Sequence, residues 1–176
     1  CMNNLKQLGL AAMMYVDDNR EFYPPRYQPI SVSPQPTGAV VWAPYPGRTS
    51  LLDPYLNNGD VGLCPSLVPG RYAFGYNAYL ISGAVAQARI VRPSGILLFV
   101  DDAWGGRTAY YPSQGVANWG ANFAEPPGAA ANWGVNTPIG RHTNKVNVTF
   151  CDGHVESMNP LTLYNGGVDT WYDYSK

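Results

Sequence analysis

The stretch from Cys1 to Asp18 limits the fold more than any other part of the chain. Wound at about 3.6 residues per turn, it places Cys1, Leu5, Leu8, Ala12, Tyr15 and Val16 on one stripe, with Asn3, Lys6, Gln7 and Asp17 on the other side. The residues are good helix formers, no Pro occurs before Pro24, and Asn19 ahead of Pro24 and Pro25 supplies a stop. An amphipathic helix is therefore expected. Nothing before Cys1 serves as a cap, so the stretch reads as the lower part of a longer helix. Leu10, Met13 and Met14 project from the nominally polar side. Either later loops wrap over them or they form a second contact surface for a neighbouring subunit.

Strand signals come later. Ala39 to Trp42 reads as a short strand, and Leu51 to Leu56, after Thr49 or Ser50 and before Asn57-Asn58-Gly59, reads as one or two helical turns with a Gly stop. Tyr72 to Ile81 is aromatic enough for a strand. Pro93-Ser94-Gly95 then turns the chain into Ile96 to Val100, a continuous apolar run expected as a central strand that ends at Asp101-Asp102. The clearest hairpin spans residues 145–158. Val146, Val148 and Phe150 alternate with Asn147 and Thr149, and Asp152-Gly153 fits a two-residue type I′ turn. In that register Phe150 pairs with Val155 on the buried face, and Cys151 lies opposite His154 on the other.

The 176 residues suffice for a single domain covering residues 1–176. Charged residues make up only 13% of the chain, against about 25% in an ordinary domain, while there are 19 Gly, 16 Pro and 13 Tyr. Much ordered loop is expected, above all in a loop-rich insertion over residues 105–140. There Ala-Asn-Trp-Gly occurs at 117–120 and again at 131–134. Trp119 and Trp133 either anchor two loop turns or form an exposed aromatic platform for a glycan or a protein partner. A net charge of −1 without a Lys/Arg cluster excludes a nucleic-acid groove and a polybasic membrane contact. No apolar run approaches the roughly 18 residues that cross a bilayer.

The three cysteines, Cys1, Cys64 and Cys151, lack zinc-ligand spacing and any Cys-x-x-Cys pair. A Cys1–Cys64 disulfide with Cys151 spare is one reading; three buried free thiols is the other. His142 and His154 are the two histidines, and Asp101, Asp102 and Asp152 approach them if the apolar strand lies beside the hairpin. Such a set is the material of a metal or acid–base site. The plain alternative is that Asp152 serves the turn, His142 binds backbone and Asp101 and Asp102 finish a strand. Asn165, Asp169 and Asp173 could hold calcium through oxygen ligands, the one cofactor the sequence suggests. No nucleophile elbow, phosphate loop or His-x-x-x-His pair is present, and an enzyme is not expected.

Two separated stretches carry a resemblance. Cys1-Met2-Asn3-Asn4-Leu5-Lys6-Gln7-Leu8-Gly9-Leu10-Ala11 resembles the segment after the membrane half of the first helix in type IV pilin-like proteins, those with a prepilin-type cleavage and methylation signal. His142, then nine residues, then Asp152-Gly153-His154 resembles the C-terminal signature of one large subgroup of them. Leu63-Cys64-Pro65-Ser66 and Arg92-Pro93-Ser94 with Asp101 are similar to that subgroup as well, while the Trp-rich loop is peculiar to this chain.

The resemblance implies an α+β pilin or pseudopilin fold with large ordered loops, in which residues 1–19 are the C-terminal part of a spine helix lying on an antiparallel sheet. It implies a leader and an apolar helical segment upstream, maturation by a prepilin peptidase, and anchoring in the inner membrane with this domain periplasmic or extracellular. The function implied is structural, as a subunit of a type II secretion-like pseudopilus or a type IV pilus-like assembly whose partners are other pilin-like subunits. No catalytic residue carries over, and the role of His142, Asp152, Gly153 and His154 is left open. A binding module using Trp119 and Trp133, and a metal-dependent hydrolase using His142, Asp152 and His154, are the competing readings.

Overall fold

The structure is a computed structural model that describes residues 1–25, 27–28, 40–41, 49–66, 73–81, 85–103, 123–124, 137–138, 140–164 and 169–175. In chain order its regular elements are α1 (Met2–Asp18), β1 (Tyr27–Gln28), β2 (Val40–Val41), β3 (Phe74–Asn77), α2 (Ala78–Ile81), β4 (Leu97–Ala103), β5 (Phe123–Ala124), β6 (Thr137–Pro138), β7 (Val146–Phe150), β8 (Val155–Met158) and α3 (Pro160–Tyr164). Helix α1 packs against a four-stranded antiparallel sheet, β3-β4-β7-β8, in an α+β, pilin-like arrangement. β5 adds to β3 in parallel and β6 pairs with the end of β4, while β1 and β2 form a separate two-stranded ladder.

The helix follows its sequence. Leu5, Leu8, Ala12, Tyr15 and Val16 are buried as the stripe requires, and Gly9 and Ala11 widen it. Asn19 ends it: its N–H reaches Tyr15 O and Val16 O, and its side-chain Nδ2 donates to Tyr15 O at 2.8 Å. Arg20 and Glu21 then take left-handed backbone angles, φ 56° and 64°, which reverse the chain. Tyr23, buried just beyond, returns it to the sheet by donating its hydroxyl to Cys151 O at 3.2 Å.

Both faces of the sheet are covered. On one side the α1 stripe meets Phe74, Tyr76, Leu98, Phe99 and Cys151; on the other Leu97, Val100, Val146, Val148 and Phe150 lie with Met158, Leu163 and Tyr172. The C-terminal segment is stitched to that second side. Leu97 N–H donates to Trp171 O at 2.8 Å, and Asn77 Nδ2 donates to both Leu97 O and Tyr172 O.

The helix comes closest to the sheet at Gly9. A Cβ there would stand 2.7 Å from Thr149 Cγ2, a separation that side chains essentially never tolerate. The same Thr149 donates its hydroxyl to Leu5 O, inside α1, at 3.1 Å. Thr149 therefore points at the helix, and both it and Asn147, the apparently polar residues of β7, are buried.

Four expectations change. Tyr72 to Ile81 is not one strand. β3 stops at Asn77, whose side-chain Oδ1 accepts from Tyr79 N–H at 2.9 Å and bends the chain into α2. Near Leu51 the helical turn is a 3-10 turn over Asp53–Tyr55, and Gly59 opens a second, Gly59–Gly62, because Asn58 caps it through Asp60 N–H. β4 runs on through Asp101 and Asp102 to Ala103, with both carboxylates fully buried.

The hairpin turn has three residues rather than two. Only Gly153 is left-handed (φ 85°), Gly153 N–H bonds Phe150 O and Phe150 N–H bonds His154 O, so Thr149 rather than Phe150 faces Val155. That slip places Phe150 beside His154, their rings stacked at 4.3 Å, and turns Cys151 into the core instead of opposite His154. The insertion over 105–140 lies outside the described residues except for β5, β6 and Gly140.

The Gly9 contact makes a quantitative prediction. Gly9→Ala gains about 1 kcal/mol of helix propensity but overpacks against Thr149, for a net loss of about 1–2 kcal/mol in urea unfolding. In a Thr149→Ser background, which keeps the hydroxyl and deletes the methyl, the same substitution is expected to be neutral or stabilising. An unchanged loss in that background would place the strain elsewhere.

Candidate functional site

The His-x9-Asp-Gly signature frames β7. His142 stands in a tight turn before the strand, its backbone paired in both directions with Lys145, and Thr143 and Asn144 between them adopt φ 51° and 64°. Asp152 and Gly153 form the turn after it. Five strand residues separate the two turns, a span of about 17 Å at about 3.4 Å per residue, so the two histidines sit at opposite ends of β7.

At the far end Asp152 and His154 form a self-contained pair. Asp152 Oδ1 accepts from His154 N–H at 3.1 Å and lies 2.5 Å from His154 Nδ1, and both side chains are exposed. With Phe150 stacked on the His154 ring, the pair fixes the turn. His142, Asp152 and His154 are thus not gathered in one place.

At the near end His142 meets partners from three other segments. Its Nε2 lies 3.5 Å from Asp101 Oδ2 and 3.7 Å from Cys64 Sγ. Cys64 is bonded to Cys1, the residue at the head of α1, so the disulfide reading is the one found, with Cα atoms 5.5 Å apart. The 63-residue separation corresponds to about 4 kcal/mol of loop-closure entropy in the chain-entropy model. Asn4 reinforces the tie by donating its side-chain Nδ2 to Leu63 O at 2.9 Å.

The Asp101 carboxylate beneath this corner is held through one of its oxygens. Asp101 Oδ2 accepts two bonds of 2.8 Å, from the backbone and the side chain of Asn147. Arg141, next to His142, donates to Asp102 O at 2.7 Å and to Ala73 O at 3.2 Å, tying β4 to the start of β3. Burial lowers the Arg141 guanidinium pKa, and the nearby Asp101 and Asp102 carboxylates oppose that shift. Arg141 thus serves this part of the sheet through backbone carbonyls.

The remaining candidates fall elsewhere. Asp169 accepts from the Tyr79 hydroxyl at 2.8 Å, and Asp173 accepts from Ser175 N–H and its hydroxyl. Asn165, the third residue of the suggested calcium set, lies outside the described residues, as do Trp119 and Trp133. Cys151 is the free cysteine, and burial pushes its thiol pKa up to about 12. It is an inert core residue at neutral pH. Sequence reading did not join His142 to the cysteines, because separations of 78 residues from Cys64 to His142 and 63 from Cys1 to Cys64 leave no local spacing signal.

Thiol accounting checks this arrangement. The native, unreduced protein at pH 8 is expected to react with no thiol reagent, to expose one thiol per chain on denaturation, and to expose three after reduction. Rapid labelling of the native protein would contradict the buried Cys151. Comparison of the chain with protein-family models, with curated proteins and with solved structures returns no match, so the fold and this corner are read from their own geometry.

Proposed function

We propose that this chain is an assembly subunit of a cell-envelope fibre, a type II secretion-like pseudopilus or a type IV pilus-like assembly, with α1 as its contact spine. The observation that carries the reading is the outer side of α1. While one stripe of the helix is buried on the sheet, Met2, Leu10 and Met14 on the other side are 45%, 53% and 51% exposed. With Lys6 they follow a four-residue spacing, which forms a single row along a helix surface. A row of exposed apolar side chains on the element that also anchors the core is suited to packing against the helices of neighbouring subunits. Covering the exposed parts of Leu10 and Met14 is worth about 2 kcal/mol per subunit contact, a modest term that a fibre repeats many times.

The family resemblance of the α1 segment and of the His142-to-Gly153 signature supports the same reading. No helix among the described residues is long and apolar enough to cross a membrane. By the same resemblance the proposal extends to inner-membrane anchoring, with this domain on the periplasmic or extracellular side.

In cells that produce the proposed fibre, Leu10→Asp combined with Met14→Asp is expected to abolish incorporation into it while leaving the domain's stability within about 1 kcal/mol of the parent, as for paired surface substitutions. Incorporation at the parental level, followed by crosslinking in sheared fibre fractions, would remove α1 from the contact.

A further inference from the structure

Beyond any role in assembly, and independently of it, we infer that Cys1, Cys64 and His142 form a thiol-controlled site for a zinc-class cation, backed by Asp101. In this site the disulfide and the metal are alternative clasps on the same corner. Cys1 Sγ, Cys64 Sγ and His142 Nε2 all lie within 4.8 Å of one another, the one such group of three among the described residues. Zinc bonds of about 2.3 Å to sulfur and about 2.0 Å to nitrogen or oxygen imply tetrahedral edges of about 3.5 Å for S···N and about 3.3 Å for N···O. The observed 3.7 Å from Cys64 Sγ to His142 Nε2 and 3.5 Å from His142 Nε2 to Asp101 Oδ2 are close to those edges.

The direction of approach matters as much as the distances. A Cys-His-Asp relay uses the two ring nitrogens in opposite directions, one toward each partner. Here sulfur and carboxylate both approach the same Nε2 atom, with Asp101 standing outside the group of three whose donor atoms lie within 4.8 Å of one another. Asp101 adds a second, independent sign. It is fully buried, and although its Oδ2 is held by Asn147, its Oδ1 finds no hydrogen-bond partner among the described residues. A buried carboxylate oxygen left without a donor is the kind of group that a cation satisfies. The site is also supported and reachable. Its donors come from the head of α1, the loop after Gly62, the turn before β7 and the interior of β4, while the His142 side chain retains 25% exposure.

The two states are linked by balanced chemistry. A dithiol donor transfers two electrons and two protons to the Cys1–Cys64 bond, yielding two thiols and the donor's own disulfide. A divalent cation then displaces both thiol protons and binds the two thiolates and the His142 lone pair. A two-electron oxidant such as a partner disulfide reverses the sequence, closing the bridge and releasing the cation. In either state the head of α1 remains tied to the Cys64 loop.

The test compares oxidised and phosphine-reduced protein, each titrated with Zn2+ against a chromophoric chelator and with Co2+ as a spectroscopic probe. The reduced protein is expected to bind one Zn2+ per chain at least about 100-fold more tightly than the oxidised protein, and its Co2+ adduct to show a thiolate charge-transfer band. His142→Ala, which keeps the disulfide and is expected to match the parent's circular dichroism when oxidised, weakens Zn2+ binding by about 100-fold in the reduced state. Cys151→Ser leaves binding unchanged. Should reduction alone unfold the chain, added Zn2+ restores the parental far-UV spectrum. Equal uptake by the two redox states, parental affinity in reduced His142→Ala, a Co2+ spectrum without the thiolate band, or a reduced chain that neither binds nor refolds with Zn2+ would each overturn the inference.

Discussion

The structure depends on a single close approach, that of α1 to β7 at Gly9. A helix backbone is ordinarily sheathed by its own side chains, and a threonine on a facing strand reaches only their tips. With no side chain at Gly9, the Thr149 methyl sits against the helix and its hydroxyl bonds the Leu5 carbonyl. The glycine costs helix propensity of about 1 kcal/mol. In return the helix lies close enough for Leu5, Leu8, Ala12 and Val16 to be wholly removed from water. Burial of that order outweighs the propensity term several-fold.

The close approach has a consequence for polarity. Because the opposite face of the sheet carries Val146, Val148 and Phe150 under Leu163 and Tyr172, both faces are buried and the polar residues of β7 have no route to solvent. Each is satisfied internally: Thr149 by the helix carbonyl, Asn147 by Asp101. A buried amide–carboxylate pair stabilises modestly when complete and is strongly destabilising when broken, so it fixes the register of β4 against β7 more than it adds to stability. The same carboxylate reaches the corner where the disulfide holds the head of α1, so the helix is fixed at its start by sulfur and along its length by packing.

Much of this was legible in the sequence because it is local. The α1 stripe, the stop at Asn19, the apolar run of β4 and the β7–β8 hairpin all rest on short-range periodicity and turn chemistry. What failed rests on tertiary context. Alternation in β7 set Asn147 and Thr149 apart from the face of Phe150, the one read as buried, whereas a second covering layer makes both faces interior. Asp101 and Asp102 looked like a strand end because acidic residues usually mark one, yet Asn147 and Arg141, more than 35 residues away in sequence, supply partners that allow the strand to continue. In the hairpin, Asp152-Gly153 gave the right place but the wrong loop length, because Cys151 joins the turn with its N–H bonded to Ile96 O at 2.9 Å. The meeting of His142 with Cys1 and Cys64 depends on three distant segments, and no spacing rule could have shown it.

If α1 is held to the sheet in this way, helix and sheet form one cooperative unit rather than a stable sheet carrying a detachable helix. Native-state amide hydrogen exchange measures that directly, residue by residue. The amides from Gly9 to Val16 are expected to open with the same free energy as those of Phe99, Val100, Val148 and Thr149, namely that of global unfolding. Exchange of the helix amides through an opening several kcal/mol less costly than that of the strands would contradict the account.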